Sequence, residues 1–320
     1  MANCNDVARL ANVSRQTVSR VINNSGSVSE DARQRVLDAI AQLGYYPNTA
    51  ARSLKSSKSK TIGLIIPDST NDFFIKIANM LQKKFITLGY SLLVLFSDEN
   101  EQIEERCLTT LIENRIELLL FTPTSINNRF LSLLDTYNIK AIQLFRHSYD
   151  ELVSIAFDDV YGGKLAASSL LEKGHHKILL IEEYYPFESS RLSGFKQALA
   201  QYNIPFSPSM YLCNQRGGAE IDTIKDALLS YSPTAVIVIA KPTEIALMKA
   251  IFALPLTLHQ DIDVLFYDDN EIAEFFEINT IAHDFELITD TIIDAVMNAL
   301  DGNAEAKRIT LKPFLLQRQP

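Results

Sequence analysis

The sequence predicts an α/β protein: an N-terminal three-helix headpiece built on a helix-turn-helix, followed by a two-lobed, doubly wound parallel α/β core. Three observations carry this. Over residues 6–24, DVARLANVSRQTVSRVINN, apolar side chains recur at helical spacing in two short runs broken at Asn12. From Thr61 onward, short and strongly apolar runs alternate with amphipathic stretches, as parallel strands covered on both faces require. Between these regimes lies PNTAARSLKSSKSK, residues 47–60, whose Ser/Lys-rich second half has nothing with which to pack a core.

In the first helix the apolar face is Val7, Ala8, Leu10 and Ala11; in the second it is Val13, Val18, Val21 and Ile22. Asn12 tolerates the left-handed conformation that a tight corner needs, and Ser14 is placed to cap the second helix. That helix then exposes Arg15, Gln16, Thr17, Ser19 and Arg20, side chains able to bond phosphates and base edges in a major groove. Two small helices that only pack a core would wear similar residues, so the spacing alone leaves both readings open. After a loop at residues 23–29, Ser29 starts a third helix with Glu30 and Asp31 in its first turn, Val36, Ala39, Ile40 and Leu43 on its apolar face, and Gly44 at its end. The headpiece is therefore residues 1–46. In residues 47–60 Asn48 can cap a helix of about two turns, which is unstable alone in water and needs DNA or a partner chain to order it.

The core, residues 61–320, contains the runs IGLII, SLLVLF, ELLLF, KAIQLF, KILLI, AVIVIA and DVLF, two successive strand-helix series that suggest two lobes. In such folds ligands bind beyond the carboxyl ends of the strands. Phe73 and Phe74 follow the first run, Arg146 the fourth, Arg191 opens a helix after KILLIEE, Lys241 follows AVIVIA, and Asp268 with Asp269 follow DVLFY. An aromatic face can stack on a sugar or base, a carboxylate accepts hydroxyl hydrogen bonds, and Arg supplies a fork of donors.

At 320 residues, 47% hydrophobic and 22% charged, the chain exceeds one ordinary domain and can build a sizeable core. No apolar run approaches the ~20 residues of a membrane helix, and no signal-peptide pattern opens the chain, so a cytoplasmic location is expected. Cys4, Cys107 and Cys213 have neither CxxC spacing nor His-rich company, which predicts buried free thiols and no metal. The net charge of −9 is segregated: residues 1–60 hold nine Lys or Arg against four Asp or Glu, the remainder 21 against 35. A basic head can meet phosphates while the acidic body is repelled by them. Catalysis and cofactors are not expected. There is no GxGxxG after the first strand, no GxxxxGK[ST], no GxSxG and no HExxH; His175 and His176 fall at a helix-to-strand turn, and Asp158, Asp159, Asp268 and Asp269 form adjacent pairs on different loops. The competing class is a small-molecule-binding protein without DNA regulation.

Particular motifs narrow this further: DVA (6–8), NVS (12–14), TVSRVIN (17–23), VS (28–29), GYYPNTAARSL (44–54), IGLIIPD (62–68), NDFF (71–74), GHHKILLI (174–181) and RLSGF (191–195). In these the chain resembles, over nearly its whole length, the lactose-repressor/galactose-repressor (LacI/GalR) family of bacterial transcription regulators. The resemblance implies an operator-binding regulator, usually a repressor, whose core is similar to periplasmic sugar-binding proteins and holds its effector between the lobes. It places the N-lobe at about 61–158 and 285–311 and the C-lobe at about 159–284 and 312–320. It implies a hinge helix in residues 47–60, with Leu54 as the wedge in the minor groove. Ser14, Asn23, Asn48, Arg52 and Lys55 join the DNA-contacting set, and Phe73, Arg191 and Asp268 take effector-contacting positions. The alternatives are that Phe73 is core and that Arg191 and Asp268 form a structural ion pair.

A homodimer on a two-fold related operator is expected, because one short recognition helix contacts too few base pairs. Arg15 and Gln16 should read bases with Arg20 close behind, and Thr17 and Ser19 should hold phosphates. The chain departs from the family at Phe145-Arg146, where Asp-Arg is usual, at Ala240-Lys241, where Asn-Asp is usual, and at Phe266, where Gly is usual. Fewer acceptors and three cations, Arg146, Arg191 and Lys241, predict an anionic effector, such as a sugar acid or sugar phosphate, stacked on Phe73. If Arg146 and Lys241 instead face solvent or pair with Asp159 and Asp269, a neutral-sugar site remains.

Overall fold

A computed structural model describes residues 2–22, 25–45, 59–183, 189–214, 220–239, 241–303 and 307–318, with Lys241 as backbone only. The chain divides into two units, Met1–Ser59 and Lys60–Pro320.

In the first unit α1 (Cys4–Leu10), α2 (Arg15–Ile22) and α3 (Glu30–Leu43) close around Val7, Ala8, Ala11, Val18, Val21, Val36 and Ala39. Local chemistry sets each boundary. Asn3 and Asp6 form a reciprocal capping box that opens α1, and Asn12 turns the corner at φ 52°. Ser14 Oγ accepts the Thr17 amide at 3.1 Å to start α2, Ser29 does the same for Ala32 in α3, and Gly44 ends α3 at φ 55°.

The second unit contains two six-stranded sheets. Its elements run β1 (Thr61–Ile66), α4 (Asp72–Thr87), β2 (Ser91–Phe96), α5 (Glu101–Glu113), β3 (Leu118–Phe121), α6 (Asn128–Thr136), β4 (Lys140–Leu144) and β5 (Val153–Phe157). Then follow α7 (Asp159–Glu172), β6 (Ile178–Glu183), α8 (Ser190–Gln201), β7 (Tyr211–Asn214), α9 (Ile221–Tyr231), β8 (Ala235–Ile239), α10 (Lys241–Ala253), β9 (Asp263–Tyr267), α11 (Glu271–Phe275) and β10 (Asn279–Ala282). Last come α12 (Phe285–Leu300), β11 (Arg308–Leu311) and β12 (Phe314–Leu316). The N-lobe sheet has the order β2-β1-β3-β4-β5-β11, parallel throughout; the C-lobe sheet is β7-β6-β8-β9-β10-β12, parallel except for β12.

The apolar runs are explained by burial on both faces. In β1, Ile62, Leu64 and Ile66 pack with α4 and α12 residues, while Ile65 on the other face packs with Leu108, Leu111 and Phe130. The same alternation divides Ile178 and Leu180 of β6 from Leu179 and Ile181. Each such side chain contributes about 1.5–3 kcal/mol by leaving water, and a strand with two buried faces has no polar side to display. The chain passes between lobes three times. The first passage lies between β5 and α7, which packs on β10 and β12; the others lie between β10 and α12, which packs on β4 and β5, and between β11 and β12.

Candidate nucleic-acid interface and ligand cleft

The surface of α2 carries Arg15, Gln16, Ser19 and Arg20 exposed, while Thr17 is half-buried and its hydroxyl shares a 2.9 Å hydrogen bond with Ser14. Ser14 and Thr17 are thus tied to the start of the helix. No acidic residue occupies the first turn of α2, so the positive end of its dipole is left for an outside anion. Elsewhere in the headpiece arginines are matched: Arg9 with Asp6 at 2.6 Å, Arg33 with Glu30 at 3.9 Å, and Arg35 with Asp31. Among the described residues Arg15 and Arg20 make no ion pair. Their charge is therefore available to phosphates and base edges. Asn23, Asn48, Arg52, Leu54 and Lys55 lie outside the described residues.

In the second unit a cleft of about 710 Å³ opens where the carboxyl ends of both sheets face each other. Phe73, Phe74, Arg146, Arg191 and Asp268 all line it. Phe73 is also core: it is 9% exposed, with the rings of Phe74, Phe145, Phe157 and His283 packed edge-on at 5.1 to 5.8 Å. Phe145 and Phe157 stack at 5.5 Å, which extends the N-lobe wall as a continuous aromatic surface.

Arg146 and Arg191 are both engaged. Arg146 grips the Glu99 carboxylate with both terminal nitrogens at 2.7 and 2.5 Å and donates again to the Pro123 carbonyl at 2.8 Å. Its loop is fixed by Gln143, whose Oε1 accepts the amides of Ser148 and Tyr149 at 2.8 and 3.1 Å. Arg191 donates from Nε to Asp159 at 2.9 Å and lies 4.0 Å over the Tyr267 ring, whose hydroxyl donates to the same Asp159 oxygen at 3.1 Å. Burial opposes the charge on Arg191, but Asp159, Tyr267 and Asp268 together hold its pKa well above the ordinary guanidinium value. Two glycines permit this arrangement. A Cβ on Gly163 would stand 2.1 Å from the Arg191 carbonyl, and one on Gly194 2.0 Å from the Val160 carbonyl, so α7 and α8 touch backbone to backbone.

These pairs correct several expectations. Arg191 pairs with Asp159 and not with Asp268, whose Oδ1 instead faces the buried His283 Nε2 at 3.3 Å. Asp268 sits at φ 86°, a strained position for a residue with a Cβ, and its amide is held by the Ile281 carbonyl at 2.9 Å. Arg146 is directed neither to solvent nor to Asp159 or Asp269, and Asp269 is taken by Arg318 at 2.5 Å. Lys241 opens α10, with its side chain outside the described residues. Of the three cations expected to converge, Arg146 and Arg191 already hold carboxylates, and Lys241 lies outside the described side chains. Asp68, Glu99, Asp158, Asp159, Glu182, Glu183 and Asp268 line it against Arg146, Arg191 and Arg308, so carboxylates outnumber arginines in the described lining.

Sequence reasoning missed Glu99, Glu182, Glu183 and His283 as cleft residues. Glu182 and Glu183 had a signal: two carboxylates directly end an apolar run, where β6 meets the cleft. Glu99 had the same kind of signal, three residues past the SLLVLF run, whereas His283 directly follows β10, whose NTIA is too short and polar to be read as a strand. His175 binds Thr234 and Asp263, both at 3.1 Å, next to the opposite ends of β8 and β9, and takes no part in the cleft.

Two family models match. That of bacterial regulatory proteins of the lacI family covers residues 3–48, and that of periplasmic binding proteins and the sugar binding domain of the LacI family covers residues 59–269. The ribose operon repressor of Escherichia coli (strain K12) is 31% identical over 334 residues, spanning 99% of both chains. The transcriptional repressor PurR of Vibrio vulnificus (strain CMCP6) is 29% identical over 330 residues, 99% of this chain and 98% of that one. Among solved structures the Lac repressor bound to ONPG in the repressed state superposes with a TM-score of 0.83 at 26% identity, over 99% of this chain and 98% of its own. Among the described residues no helix is long and apolar enough to cross a membrane. With α2 inside the first family model, most of the cleft lining inside the second, and a full-length relative at 31% identity, the chain belongs to the LacI family of bacterial regulatory proteins.

Proposed function

We propose that this protein is a transcriptional repressor and not an enzyme: a cytoplasmic homodimer that binds a two-fold related operator through α2 and is controlled by a small molecule held between the lobes of its core. The observation that carries this reading is the pairing, in one chain, of a helix with unmatched exposed arginines and a two-sheet cleft lined by side chains from both lobes. The Lac repressor offers the parallel, having been solved as a dimer bound to operator and an anti-inducer, at 26% identity and a TM-score of 0.83. An exposed aromatic cluster supports the dimer. Phe275 is 79% exposed and lies edge-on to Phe276 at 4.9 Å, with Phe252 5.6 Å beyond, a surface that a second copy would remove from water.

Arg15 and Gln16 read bases with Arg20 behind them; Ser19 and Thr17 hold the backbone. Residues 47–60 form the hinge, with Leu54 as the wedge at the operator centre and Asn48, Arg52 and Lys55 beside it. The effector stacks on the Phe73 wall and hydrogen-bonds to Arg191 and Asp268, two of the residues that line the cleft from the C-lobe. A sugar fits this division between an apolar wall and a polar one.

Gel-shift of genomic fragments with the full-length protein tests the reading. Retention of a few fragments sharing a two-fold related sequence, released or strengthened by a small molecule that also shifts melting, is the expected outcome. Failure to select any fragment at moderate salt would leave a ligand-binding protein without DNA regulation.

A further inference from the structure

Glu182, the penultimate residue of β6, lies on the C-lobe side of the cleft, 5% exposed, and its carboxylate is only partly engaged. Ser189 donates to Oε1 at 2.7 Å; burial raises the pKa of this carboxyl, and Ser189, Arg191 and the Tyr211 phenol oppose that rise without cancelling it. Oε2 is buried and accepts no hydrogen bond from any described residue. A buried carboxylate oxygen left unmet is unfavourable, and a donor brought by a ligand removes that cost. The cation that acts on Glu182, Arg191, is already engaged by Asp159, and Arg146 elsewhere in the lining is engaged by Glu99.

Two further features select the kind of donor. Carboxylates outnumber arginines in the lining, so the cleft concentrates cations and repels anions. The opposite wall is aromatic, with Phe74, Phe145 and Phe157 in the lining, and ring faces attract a cation as well as an apolar skeleton.

We propose that the effector carries a protonated amine on a hydroxylated skeleton, with the ammonium seated on Glu182 and the skeleton against the N-lobe rings. The inference rests on the interlobe cleft being the effector site. An ammonium gives Oε2 a charge-assisted hydrogen bond, roughly twice as strong as one from a neutral hydroxyl. An anion there would meet Glu182 and Asp268 with like charge.

Calorimetric titration of the full-length protein with three matched sets tests it: ethanolamine, ethylene glycol and glycolate; glucosamine, glucose and gluconate; galactosamine, galactose and galactonate. The first set carries no ring stereochemistry, so the result does not hang on guessing the right sugar. In at least one set the amine should bind about tenfold or more tightly than both counterparts. Glu182→Gln should abolish that preference and leave the weak affinity for the neutral member in place. The wild-type ranking needs no variant, so poor folding of Glu182→Gln would not protect the proposal. It is overturned if no amine binds, if the neutral or acidic member matches the amine in every set, or if Glu182→Gln binds the amine as wild type does. Operator gel-shift separates this from the underlying reading. A neutral sugar that releases the operator sustains effector control and sinks the amine, whereas a Glu182-dependent amine that leaves the operator complex unchanged sustains the site and sinks its control of DNA binding.

Discussion

The arginines of the headpiece and those of the cleft are the same side chain put to opposite uses. On α2, Arg15 and Arg20 are exposed and have no carboxylate partner among the described residues, although Arg9, Arg33 and Arg35 in the same unit are all matched. In the cleft, Arg146 and Arg191 are partly buried, and each is locked to a carboxylate, Glu99 and Asp159. The difference follows from what each surface meets. A polyanion supplies its own negative charge in bulk water, so a free guanidinium there is hydrated until phosphate replaces the water. In a half-dry cleft a guanidinium without a counter-charge is unfavourable in the ligand-free protein, so the fold provides one. The donors that remain on the fork can still reach a ligand, but the net charge does not call for an anion.

If that contrast holds, charges in the core should govern stability and charges on α2 should not. The largest effect is expected at Glu104 on α5, fully buried, with Thr124 donating its amide at 2.9 Å and with Oε2 unmet among the described residues. Burial raises its pKa to about 7, the two hydrogen bonds from Thr124 opposing the rise. A raised folded-state value means stability that is complete below the unfolded value and is lost as pH rises through the folded one. Urea unfolding should therefore show stability falling by about 3 kcal/mol between roughly pH 5 and 8, and Glu104→Gln should flatten the slope. A wild-type profile already flat over that window would place the carboxylate in contact with water.

Next comes Asp159→Ala, which strips the counter-charge from Arg191 and the acceptor from the buried Tyr267 hydroxyl together. It should cost about 2 kcal/mol, less than the loss for a fully buried pair because Arg191 and Asp159 each keep 26% of their side-chain surface exposed. Unchanged urea midpoints in this variant would mean that the pair is a surface contact and that the contrast with α2 is empty. The smallest change is expected for Arg15→Ala. It should leave headpiece melting unaltered, weaken the operator complex by about 1.5 kcal/mol, and affect random DNA little. Equal losses on both DNAs would move Arg15 from bases to backbone, and a lower melting point would show that it was matched after all.

Much of the fold was legible because it depends on short-range periodicity. The apolar runs at residues 62–66, 178–181 and 235–239 became strands with both faces buried, and the break at Asn12, the cap at Ser14 and the stop at Gly44 act within a few residues of themselves. The exposed face of α2 was readable for the same reason: on a short helix, exposure follows directly from which residues are apolar. Strand ends were legible too, and with them Phe73, Phe74, Arg146, Arg191 and Asp268 as residues lining one cleft.

The partners of those residues were not legible. Arg146 meets Glu99 across 47 residues, Arg191 meets Asp159 across 32, and Asp268 faces His283 from the next strand end. No period or motif encodes such choices. They are made by how closely α7 and α8 approach over Gly163 and Gly194, and by where the Gln143-braced loop sets Arg146. Sequence by itself determined which elements form and which side chains reach the cleft. Tertiary packing alone decided which charges cancel there, because an ion pair is set by a few ångströms of separation between segments far apart along the chain.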